Sequence, residues 1–175
     1  MAQSRVRANY VKYAVVRIKQ LPLEERDAVF KVLGSTRDEI RVAGLLAWIP
    51  MRVYGNVVDS TRTALGSRRA REFWCDTMVS SFERLLLKPL VEGALRLYGR
   101  SPASLLRRTP QAWSLVSRHG GRIRLEGDHR VHFDGLPLEL RKGGGIVDST
   151  AGNCEAILKY LSRPGSVSAH EEALD

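Results

Sequence analysis

Residues 72–113, EFWCDTMVSSFERLLLKPLVEGALRLYGRSPASLLRRTPQAW, decide the fold class. Phe73, Trp74, Met78, Phe82 and Leu85 or Leu86 advance by three or four positions, the spacing that gathers side chains on one face of an α-helix. Arg71, Asp76, Glu83 and Arg84 fall elsewhere around the same helix. Pro89 kinks or restarts it, because proline lacks the amide hydrogen that the helical ladder needs. Leu90, Val91, Ala94, Leu95 and Tyr98 then carry the stripe to Gly99. Ser101-Pro102 and Thr109-Pro110 each read as an N-cap followed by the first helical residue, and Trp113 and Val116 face inward before Gly120-Gly121. The stretch is a helical wall with no catalytic constellation in it.

Upstream, Tyr10, Val11, Ala14, Val15 and Ile18 predict a helix over residues 5–20 that ends at Leu21-Pro22. Glu24 and Glu25 open a second helix, which buries Val29, Phe30 and Leu33 and stops at Gly34. A connection through Ser35-Thr36 and the run VAGLLAWIPM leads to a third helix. It takes Pro50 as its first residue, uses Met51, Tyr54, Val57 and Val58, and ends at Leu65-Gly66. Downstream the apolar period changes to two. Ile123 and Leu125 alternate with Arg122, Arg124 and Glu126, and Val131 and Phe133 alternate with Arg130, His132 and Asp134. With Gly127-Asp128 as the turn this is a β-hairpin, which must pack on the helices because two strands are not stable alone. A mobile connection at Gly143-Gly144-Gly145 precedes a last helix through Val147, Ala151, Cys154, Ile157, Leu158 and Leu161.

The expected architecture is therefore α+β. The N-terminal two-thirds is mainly helical, and a small antiparallel sheet, the hairpin, is followed by a C-terminal helix. Residues 1–163 are expected to form one globular domain, a size that buries well over half of the unfolded surface, and 164–175 a disordered tail. The longest uncharged apolar stretch, Val42 to Met51, is about half of the ~20 residues that a membrane span requires, and the first residues lack an export signal. The expectation is a cytoplasmic protein with no membrane partner.

Charge is unevenly spread. Residues 1–20 carry five basic and no acidic side chains, residues 62–124 thirteen basic against four acidic, and residues 125–175 five basic against nine acidic. A basic face on a chain of net charge +9 points to an anionic partner or to attraction between copies.

The series LAWIPMRVY, Leu65-Gly66, REFW at Arg71 to Trp74, LYGRSPASLL, TPQAW at Thr109 to Trp113 and FDGLP at Phe133 to Pro137 resembles a paralogous family of uncharacterised myxobacterial domains, from about Val11 to Leu161. More distantly, helices followed by a hairpin are similar to the haem-nitric-oxide-binding (H-NOX) and 4-vinyl-reductase-like superfamily. That resemblance implies a cavity for a small hydrophobic ligand between helices and sheet. It does not imply haem, since residues 67–118 contain no histidine and the chain has no Tyr-x-Ser-x-Arg motif.

The pocket candidates under this resemblance are Trp48, Tyr54, Trp74, Phe82 and Trp113, set against the simpler role of core anchors. Candidates for an anionic-partner surface are Arg68, Arg69, Arg100, Arg107 and Arg108, set against a solvated face or a protein interface. Asp128, His129, His132 and Asp134 are the densest possible metal ligands, but residues three apart on a strand point to opposite faces, so no metal is expected. Arg141-Lys142-Gly143-Gly144-Gly145 resembles a phosphate cradle without the ending of a P-loop. Cys75 and Cys154 belong to no CxxC pair, and no serine lies in a GxSxG motif. The expected function is a non-enzymatic sensory, ligand-binding or protein-interaction module without a cofactor. It would be homodimeric and bind a small apolar ligand or a protein partner. The alternative is a nucleic-acid-binding protein that uses the arginine-rich face.

Overall fold

A computed structural model of the chain describes residues 3–84 and 88–170. Arg5–Arg7 is a strand, β1, not the first turn of the helix expected over 5–20. Val6 is fully buried between two outward arginines, a period of two that the helical stripe beginning at residue 8 obscures. Helix α1, Ala8–Ile18, then buries Ala8, Val11, Ala14, Val15 and Ile18. Helix α2, Leu23–Leu33, ends at Gly34, as its sequence predicts. The stretch expected as a connection contains a short helix, α3, Thr36–Val42, which anchors through Thr36 and Ile40. It also contains a strand, β2, Trp48–Pro50. Pro50 is thus the extended residue before helix α4, Met51–Leu65, and not its first turn.

Helix α5, Ser67–Phe82, follows Gly66 directly, so it starts five residues before Glu72. Helix α6 is Lys88–Tyr98, and Leu85 and Leu86 lie outside the described residues. Helix α7, Pro102–Leu106, has the expected cap, with the Ser104 amide donating to Ser101 Oγ. Helix α8, Thr109–Val116, does not repeat it: Arg108 is already helical, its carbonyl accepts from the Ala112 amide, and Thr109 caps nothing.

Strand β3, Ser117–Arg118, pairs with β1, giving an antiparallel sheet in the order β2-β1-β3 that the sequence did not announce. The expected hairpin is present as β4, Arg122–Glu126, and β5, Arg130–Asp134, in the register Ile123↔Phe133 and Leu125↔Val131. Its apolar face lies on helices, with Leu125 and Val131 against the cluster around Phe82, Val91, Leu106 and Ile157. A short helix, α9, Leu138–Arg141, precedes the last helix, α10, Gly145–Tyr160.

Helix α10 crosses α5 with backbones close enough that a Cβ on Gly152 would lie 2.4 Å from the Arg71 carbonyl oxygen. Burial pushes the Cys154 thiol, on this helix, up to about 11. The Gly143-Gly144-Gly145 segment is docked rather than mobile. A Cβ at Gly145 would meet the Val58 backbone at 2.4 Å, and one at Gly143 would meet the Asp59 carboxylate at the same distance. Beyond α10, Arg71 donates from its guanidinium to the Val167 carbonyl, and residues 171–175 of the expected tail lie outside the described residues. No helix among the described residues is long and apolar enough to cross a membrane.

Candidate functional site

Because β1 is the central strand of its sheet, alternate residues divide cleanly between two faces. Val6, Ile49 and Ser117 stand side by side on the inner face, all buried. Arg5 lies opposite Arg118 on one side and Pro50 on the other, and Arg7 lies opposite Trp48, so this set shares the outer face. The ladder is extended at its end by the Met51 amide, which donates to the Ser4 carbonyl, and by Ser4 Oγ, which donates to the His119 carbonyl at 2.7 Å.

Two guanidinium groups converge on the Trp48 ring. The Arg7 Cζ lies 4.0 Å and the Arg118 Cζ 4.2 Å from its centroid, so the two cations are no more than 8.2 Å apart. Each stacking contact contributes about 0.5–1 kcal/mol at an exposed site, set against a mutual repulsion of at least about 0.5 kcal/mol in water at a separation no greater than this. Arg7 Nη1 also donates to the Leu46 carbonyl at 2.8 Å. Among the described residues no carboxylate pairs with Arg5, Arg7 or Arg118.

The arginines singled out from sequence differ in this respect. Arg69 is held by Glu25 through two hydrogen bonds of 2.9 Å, Arg68 pairs with Glu72 at 3.3 Å, and Arg107 pairs with Asp128 at 2.8 Å. Arg108 donates to Gln111 and covers the Tyr98 ring, while Arg100 is exposed near enough for its charge to act on Tyr160. These five belong to two separate regions, α5 and the α6–α8 corner, and three of them already have a carboxylate partner.

The pocket candidates are likewise dispersed. Tyr54 and Trp74 are together, edge to face at 6.1 Å and at most 2% exposed, inside the first core cluster. Their polar atoms have protein partners. The Tyr54 hydroxyl lies 3.4 Å from that of Tyr10 and 3.1 Å from Ser149 Oγ, and Trp74 Nε1 donates to Thr61 Oγ1 at 3.1 Å. Burial, reinforced by Tyr10, pushes the Tyr54 phenol well above its ordinary range. Phe82 packs in the second cluster against Tyr160, Trp113 packs edge-on to Phe133, and Trp48 is on the outer sheet face. Two surface depressions, one at Leu65–Arg69 and Glu72, the other among Arg17, Leu21, Arg69 and Phe73, are lined by none of these five.

The hairpin carboxylates face cations: Asp128 faces Arg107, Asp134 faces Arg124, and Glu126 takes Arg130 and, at 2.7 Å, His132. No group of three or more metal-ligating side chains forms among the described residues. The glycine cradle already holds an anion of the chain itself, since the Gly145 amide donates to Asp59 Oδ1 at 3.0 Å. Burial raises the Asp59 carboxyl above the usual range against that hydrogen bond and the nearby Arg62.

Compared with known proteins, the chain matches no family, no curated sequence and no solved structure. The motif resemblances therefore lend nothing to the site, which rests on its own geometry. Its residues were discernible only in part: the five basic and no acidic side chains of residues 1–20 signalled the charge, but the pairing that brings Arg118 and Trp48 to them is long-range.

Proposed function

We propose that the chain is a non-enzymatic docking module that binds an anionic partner on the outer face of the β2-β1-β3 sheet. The observation that carries this reading is the pair of guanidiniums, Arg7 and Arg118, stacked on Trp48 without a carboxylate partner among the described residues. A guanidinium already fixed against a ring loses less side-chain freedom on binding, and its planar edge offers a carboxylate or phosphate two parallel hydrogen bonds. Arg5, opposite Arg118, adds a third cation within the same face. Nucleic acid is the second reading, favoured by the arginines, but the one tryptophan that would stack a base already carries two cations.

Retention on heparin tests the proposal. Wild-type chain should elute at high salt, and the Arg7→Glu/Arg118→Glu variant should elute much earlier, whereas Arg68→Glu/Arg107→Glu should change retention less. Equal loss in the two variants would show that net charge alone governs binding and would refute a dedicated face.

A further inference from the structure

Three of the four most exposed large apolar side chains among the described residues lie within five positions of one another, beside this basic face. Leu46 is 75% exposed, Val42 74% and Leu45 65%. Val42 ends α3, Leu45 and Leu46 occupy the turn between α3 and β2, and that turn is firmly bonded. The Ala47 amide donates to the Gly44 carbonyl, the Asn9 amide to Leu45, the Ala8 amide to Ala47, and the Arg7 side chain to Leu46. Ala43 and Ala47 of the same turn pack on the core. The backbone therefore holds the two leucines outward while the alanines do the packing. Polar residues at 45 and 46 would serve the fold as well, so the exposed leucines call for a partner that accepts apolar groups.

We infer that this turn seats the protein on an anionic lipid bilayer, an inference that rests on the anionic-docking reading. Leu45 and Leu46 enter the boundary of the acyl layer, and Trp48, next in the chain after Ala47, lies at headgroup depth. Arg5, Arg7 and Arg118 meet the lipid phosphates and anionic headgroups. A bilayer presents this order of chemistry, negative charge above hydrocarbon, and it accepts side chains on a turn without a preformed pocket. That no helix among the described residues is long and apolar enough to span a membrane bears on crossing it and not on contact at its surface.

Vesicle sedimentation of the full chain tests the inference, with phosphatidylcholine vesicles as reference and vesicles that also contain phosphatidylserine as probe. The protein should sediment with the anionic vesicles only, and salt should release it. Leu45→Ser/Leu46→Ser should weaken this association by roughly tenfold or more and leave heparin retention unchanged, because both leucines are exposed, no charge is added and the arginines are untouched. Arg7→Glu/Arg118→Glu should lose both. If wild-type chain binds heparin but not anionic vesicles, or if the leucine variant sediments like wild type, the lipid inference fails and the anionic-docking reading stands. Binding to neither removes both. Two further outcomes replace the bilayer with another partner: single-stranded oligonucleotide binding without vesicle binding, or a dimer in solution that the leucine variant abolishes.

Discussion

Arg7 and Trp48 face each other across the β1–β2 pairing, and the Arg7 guanidinium lies 4.0 Å above the indole ring. Arg118 reaches the same ring from β3, so one side chain links all three strands across the outer face. Trp48→Ala should remove both stacking contacts. The expected cost is about 1–2 kcal/mol, which for a chain of this length lowers the thermal midpoint by roughly 2–8 °C. Trp48→Phe keeps a ring and should retain most of that stability, which calorimetry of the two variants would resolve.

The α5–α10 crossing depends on the missing side chain of Gly152, where a Cβ would lie 2.4 Å from Arg71 O and 2.9 Å from Cys75 N. Gly152→Ala should destabilise by about 1–3 kcal/mol through forced separation of the helices. Gly93, inside α6 with no atom within 4 Å of its would-be Cβ, is the internal control. Gly93→Ala should stabilise by about 0.5–1 kcal/mol, because it removes unfolded-state freedom without a clash. Denaturant midpoints of the pair check both signs.

Asp59 gives a pH dependence. Its folded carboxyl sits above the ordinary value, chiefly through burial, so between the unfolded and folded values the folded chain holds more protons than the unfolded one. The contribution of this group is therefore greatest below the ordinary carboxylate range and declines as pH rises through the raised folded value. Asp59→Asn should flatten this part of the stability–pH profile while its amide oxygen still accepts from Gly145. Asp59→Ala should also lose that cap, at about 1 kcal/mol. Urea unfolding of both variants between acidic and neutral pH would show the difference.

What could be read in the sequence followed the range of the interactions. Helices α2, α4 and α6, the Ser101 cap and the β4–β5 hairpin are set by neighbours within a few positions, and their apolar periods identify them. Strand β1 is three residues long and draws its partners from Trp48–Pro50 and Ser117–Arg118, so no local window separates it from α1. The same limit applies to charge. Counting arginines in residues 62–124 cannot reveal that Arg69 is held by Glu25 or Arg107 by Asp128, and it passes over Arg5 and Arg7, which have no carboxylate partner among the described residues. Of the five candidate pocket aromatics, only Tyr54 and Trp74 meet, in the core, because a helical stripe fixes which side faces inward but not which stripe it meets.

The most direct test of the docking face is the salt dependence of binding to a single-stranded oligonucleotide, used as a uniform polyanion probe. If Arg5, Arg7 and Arg118 each neutralise one phosphate, replacing all three with glutamine should reduce the slope of log affinity against log salt by roughly 2, at about 0.7 per contact. Triple replacement of Arg68, Arg69 and Arg107 should lower that slope less, because each of those cations already has a carboxylate partner. An unchanged slope in the first variant, or an equal fall in both, would contradict the account.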